Sequence, residues 1–119
     1  MKPLKDIETF LKRFNNFKDG EFRSIKIISP TTMQITFAGQ DNSRDFNWIS
    51  MQFELNGINN ALLIENSKLS LVDMSDGISI IESAGKIILG IGKYNTISNI
   101  KNSSCFISCS SIKYDEGLF

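Results

Sequence analysis

Leu4, Ile7, Leu11 and Phe14 recur at spacings of three and four, with Phe10 beside them. That is the period of a helix with one apolar face. Pro3 suits the first helical position. Asp6 and Glu8 come early and Lys12 and Arg13 late, the charge order that complements a helix dipole. Asn15-Asn16 interrupts the pattern. It predicts one helix over residues 2–15, its aromatic face docked on whatever follows.

Beyond the helix the period changes to two. Phe22 to Ser29 is rich in isoleucine and stops at a Ser29-Pro30-Thr31 turn. Met33, Ile35 and Phe37 then alternate with Gln34 and Thr36, so the two runs read as a hairpin across Pro30. Ile49, Met51, Phe53 and Leu55 alternate with Ser50, Gln52 and Glu54, the clearest half-buried strand in the chain. It closes on Asn56-Gly57, the dipeptide of two-residue hairpins. Shorter runs follow at Ala61–Glu65, Leu69–Asp73, Gly77–Glu82, Lys86–Ile91 and Ser104–Tyr114, separated by turn residues such as Asp76-Gly77 and Ala84-Gly85. Gly92 to Ser103 is polar, and Ile97 and Ile100 suggest a single helical turn within it. Short strands without helix-length crossovers pair antiparallel. The predicted fold is α+β and mainly antiparallel β. Its N-terminal helix packs on a seven- or eight-stranded sandwich or open barrel spanning residues 21–114, in one domain of 119 residues.

Composition narrows the possible functions. Thirteen basic residues balance thirteen acidic ones, so no net field attracts nucleic acid or anionic lipid. There is no histidine, which removes the commonest general base and metal ligand. Lys5, Asp6, Glu8, Lys12 and Arg13 break up the first segment, leaving no apolar stretch of the kind an export signal needs. The longest apolar runs, such as Ala61-Leu62-Leu63-Ile64, are far short of a membrane span. The expectation is a cytoplasmic protein without a membrane or nucleic-acid partner. Cys105 and Cys109, four apart, would face the same side of a strand about 13 Å apart. That is too far for a disulfide, and no further Cys or His exists to complete a zinc site. Both read as small core residues, and no cofactor or metal is expected.

Other candidate chemistry has simpler structural explanations. Gly85-Lys86 is followed by Ile87 where a phosphate-binding loop needs Ser or Thr. Gly90-Ile91-Gly92-Lys93 lacks the third glycine and the helix of a dinucleotide fingerprint. No serine sits in a nucleophile elbow. Asp19 with Glu21, Asp41 with Asp45, and Asp73 with Asp76 cluster, but each group stands where a turn is expected and Asp caps local backbone. Trp48 has the opposite parity to Ile49, Met51 and Phe53, which puts a large aromatic on a polar face. Asp19, Glu21, Asp41, Arg44, Asp45 and Trp48 are therefore the candidate partner-binding residues, acids to steer and one aromatic to anchor. The expected function is non-enzymatic protein–protein interaction. The alternative is a carrier or sensor of a small apolar ligand, held in the barrel or between sheet and helix. Many short strands also present edges, and a symmetric homodimer is the simplest way to cover one.

The order of motifs also resembles a known group. Phe17-Lys18-Asp19-Gly20-Glu21 precedes the first strand, and Asp45-Phe46-Asn47-Trp48-Ile49 leads into a strand closing on Asn-Gly-Ile. Leu69-Ser70-Leu71-Val72-Asp73-Met74-Ser75-Asp76-Gly77-Ile78 and a final strand with serine and cysteine follow. This resembles small uncharacterised bacterial β proteins. More loosely, it is similar to immunity proteins of polymorphic toxin systems, which begin with Phe-His-Asp-x-Glu and often have His where Lys18 stands here. The resemblance implies a cytoplasmic binding protein that blocks a partner, and no catalytic residue.

Overall fold

A computed structural model describes residues 1–119. Nine strands form two antiparallel sheets. The large sheet has the order β1 (Lys2–Pro3), β9 (Ser111–Leu118), β4 (Asn47–Asn56), β3 (Thr32–Asp41), β2 (Glu21–Ser29). The small sheet has the order β5 (Asn60–Leu62), β8 (Phe106–Cys109), β7 (Lys86–Ile91), β6 (Ile78–Ser83). One core joins them: Ile35, Phe37, Met51, Phe53 and Leu55 from the large sheet meet Ile78, Leu89, Ile107 and Cys109 from the small one. The predicted class therefore holds, as two sheets and no closed barrel.

Alternation sets the register. Phe53 of β4 stands opposite Ile35 of β3 and Tyr114 of β9, while Gln52 and Glu54 point to the other face. A slip of one residue would turn this whole apolar row to solvent. β2 and β3 form the predicted hairpin, with Ser29 opposite Thr32. β6 and β7 form another, closed by Ala84 (φ 51) and Gly85 (φ 77).

The helix is shorter than residues 2–15. α1 runs Ile7–Arg13, and Asp6 caps it by accepting the Thr9 amide at 3.4 Å. Pro3 lies in edge strand β1, a position where a missing N–H is harmless. After Arg13 the chain tightens into a 3₁₀ turn, Asn15–Phe17, with all three residues at φ of 50–57°. That turn drives Phe17 to the middle of an aromatic group in which it contacts Phe14, Phe37 and Phe53. α1 and this turn fill the side of the core between the sheets.

Three strand expectations need correction. Leu69–Asp73 is not a strand, because Asn66–Leu71 forms a 3₁₀ helix against β2. Asn56-Gly57 does not close a hairpin. Gly57 (φ 68) instead carries the chain across to the small sheet, where β5 pairs with β8, because β9 already occupies the free side of β4. Ser104–Tyr114 is two strands in different sheets, joined by Ser110 alone, and the β region extends to Leu118. The single helical turn between Gly92 and Ser103 is present as α2 (Ile97–Ile100). Ile100 packs with Ile88 and Phe106 on the outer face of the small sheet.

Candidate binding surface at the Trp48 end of the large sheet

Antiparallel pairing brings the start of β2, the end of β3, the start of β4 and the end of β9 to one end of the large sheet. Glu21, Asp41, Arg44, Asp45 and Trp48 all stand at that end, with Asp19 two residues before β2. The end has an inner and an outer side, and the six residues divide between them.

On the inner side Asp41 has no exposed area and anchors an ion cluster. Arg13 donates through Nε and Nη2 to its two carboxylate oxygens at 2.9 and 2.7 Å. Nη1 of Arg13 donates to Glu116 at 3.0 Å. Arg44 Nη2 donates to the other Glu116 oxygen at 3.1 Å, and its Nε stands 3.5 Å from Asp41. The Ser43 amide and hydroxyl complete the shell of Asp41 at 2.9 and 2.8 Å. The Arg13 hydrogen bonds, with those from Ser43, hold the Asp41 carboxyl at about 2, against the opposing effect of desolvation. The same pairing raises the pKa of Arg13. Two arginines and two acids are mutually neutralised here. Asp41 therefore braces the surface from beneath, tying α1, β3 and β9 together, and is not itself offered to a partner.

The outer side is the exposed one. The Trp48 ring, 39% exposed, lies 5.4 Å from the Phe119 ring. The Arg23 guanidinium sits 4.2 Å over that ring and donates to the Phe119 carbonyl at 3.0 Å. Arg23 also donates to Glu21 at 3.1 Å. Trp48, Phe119, Arg23 and Glu21 thus form one continuous row across the sheet. Ala38, in register between Glu21 and Ser50, is fully buried. Phe46 and Leu118 add exposed apolar area at the same end. Asp45 and Phe46 occupy the turn into β4, both at positive φ. Asp19, also at positive φ, is exposed and donates its amide to the Met74 carbonyl at 2.8 Å.

Sequence reasoning missed Arg13, Arg23, Glu116 and Phe119. Arg13 and Glu116 are 103 positions apart, and no local spacing could have joined them. Trp48 was legible from parity alone.

Elsewhere no three metal-ligating side chains come together. Cys105 and Cys109 are buried free thiols, pushed up to about 11 by burial. No helix is long and apolar enough to cross a membrane. No family model matches the chain, and no curated protein or solved structure is significantly similar to it.

Proposed function

We propose that the protein is a non-enzymatic protein-binding domain whose contact surface is the Trp48 end of the large sheet. The observation that carries this reading is the exposed Trp48–Phe119 aromatic pair on the outer side, continued by Arg23 and Glu21, with Phe46, Asp45 and Asp19 exposed at the same end of the sheet. An exposed aromatic pair with an arginine and an acid beside it is the composition of a binding hot spot. The acids favour a partner with a basic face, which they would steer during encounter. The sharpest form of the proposal is an immunity-like role, in which the domain covers and blocks a partner in the cytoplasm. The resemblance of the Phe17–Glu21 and Asp45–Ile49 segments supports that form.

Carriage of a small apolar ligand is the alternative. The space between the sheets is taken by Phe14, Phe17, Phe37 and Phe53, all essentially unexposed, which favours interaction over carriage. A carried ligand would instead have to use an open surface site, either the pocket of about 480 Å³ between β2 and the Asn66–Leu71 turn or the groove of about 660 Å³ between α1 and β6.

Immobilised wild-type protein and its Trp48→Ala variant, each exposed to native cytosol, test the proposal. Quantitative mass spectrometry should find a protein held by wild type and depleted about tenfold or more on the variant, the loss expected of a hot-spot aromatic. Identical captured sets would refute it.

A further inference from the structure

β6 is an outermost strand of the small sheet, hydrogen-bonded to β7 alone. Alternate N–H and C=O groups along one side of it therefore have no sheet partner. The molecule treats its other three edges differently. β1 and β5 are two and three residues long, too short to template a strand. β2 is latched at Ile25, whose N–H and C=O are both bonded by the Asn66 side chain at 2.9 Å. β6 has no such latch.

What borders the β6 edge is a groove of about 660 Å³. Its other wall is α1, because the 3₁₀ turn after α1 places Asn16 against Gly77 at the start of β6. Ile7, Leu11, Ile80, Ile81 and Tyr94 supply its apolar lining, while Glu8, Lys12 and Glu82 supply its charge. Glu8 is already paired with Lys12 at 3.5 Å. Glu82 makes no ion pair and leaves the groove with one unmatched negative charge.

A strand edge, an apolar lining and one unmatched acid together specify an occupant. Unpaired main-chain groups recognise an extended backbone, and an apolar wall on one side selects alternate side chains. We propose that the groove between α1 and the free edge of β6 takes an extended segment of a partner polypeptide as an added strand, with a basic side chain set against Glu82. A second copy of this chain is a poor occupant. Its own β6 carries α1 alongside and would meet the first α1, whereas an isolated segment carries nothing beside it. The surface differs from the Trp48 end in both position and chemistry, and the proposal stands whether or not that reading holds.

Peptides of about seven residues, the length of an ordinary strand, displayed as a random library against the whole protein, test it. The recovered peptides should alternate apolar and polar residues, carry Lys or Arg, and compete for one site. Their binding should slow amide exchange at Ile80 and Glu82, whose N–H groups point away from β7. Glu82→Lys should weaken them roughly two- to fivefold, the effect of one exposed charge pair, and should favour acidic peptides on reselection. Ile7→Asp, with its fold checked by circular dichroism, should weaken them as well. Failure to recover peptides would overturn the proposal. So would peptides whose binding survives Glu82→Lys, or is lost in Trp48→Ala with exchange at Ile80 and Glu82 unchanged.

Discussion

Arg13 is the residue on which the Trp48 end depends. It lies at the last position of α1, yet its guanidinium holds Asp41 at the end of β3 and Glu116 near the end of β9. The consequence for pH follows from the Asp41 carboxyl, lowered to about 2 from an ordinary 3.8. A carboxylate with a depressed folded pKa adds stability above its unfolded value and loses it as pH falls towards the folded one. Stability should therefore decline between about pH 4 and pH 2, with Asp41 supplying on the order of 2 kcal/mol of the change. Asp41→Asn should flatten that limb and cost about 2–3 kcal/mol at neutral pH, since it removes one partner of a buried pair. Urea titrations at several pH values read both effects. A variant with the wild-type acid limb would remove Asp41 from this role.

At the scale of elements, legibility followed the reach of the signal. β4 and the two runs flanking Ala84-Gly85 were visible because alternation and turn residues are local, and Lys86–Ile91 has the predicted bounds. Leu69–Asp73 was misread because a short apolar run fits a strand and a 3₁₀ turn equally. What decides the matter is Asn66 bonding across to Ile25, a partner 41 residues away. Asn56-Gly57 carried a genuine turn signal, but its hairpin reading assumed that β4 was still unpaired on that side. The candidate surface was half legible: Trp48 by parity, Glu21 and Asp45 by turn position, and Asp41 and Arg44 without the Arg13 and Glu116 that pair with them. Two outcomes belong at this scale. Ala84 and Gly85 both have positive φ, a conformation that favours Asn over Ala at the first position. Ala84→Asn should thus raise stability by about 0.5–1 kcal/mol, seen as a higher melting temperature. Asn66→Ala should cost about 1–2 kcal/mol by freeing two hydrogen-bonding groups. It should also promote association, because Ile27 and Ile28 beside the released edge are 63% and 48% exposed. Light scattering across a concentration series would show whether the variant, and wild type, self-associate.

For the whole molecule, one shared core means that opening one sheet exposes the other. Cys105 and Cys109 belong to that core, and burial keeps both protonated at neutral pH. Alkylation by iodoacetamide should therefore be very slow in the native protein and should proceed for both thiols together on unfolding, as mass spectrometry would record. Modification of one thiol well before the other would mean that the sheets open separately. The link at Ser110 has a consequence for how the molecule is made. β8 and β9 are interior strands of different sheets, yet they are the last strands in the sequence. During synthesis the nascent chain holds β5 without the strand that would pair with it, and β4 with one flank bare. The ribosome must release residues 106–118 before either layer can close, so one short stretch of chain completes both at once.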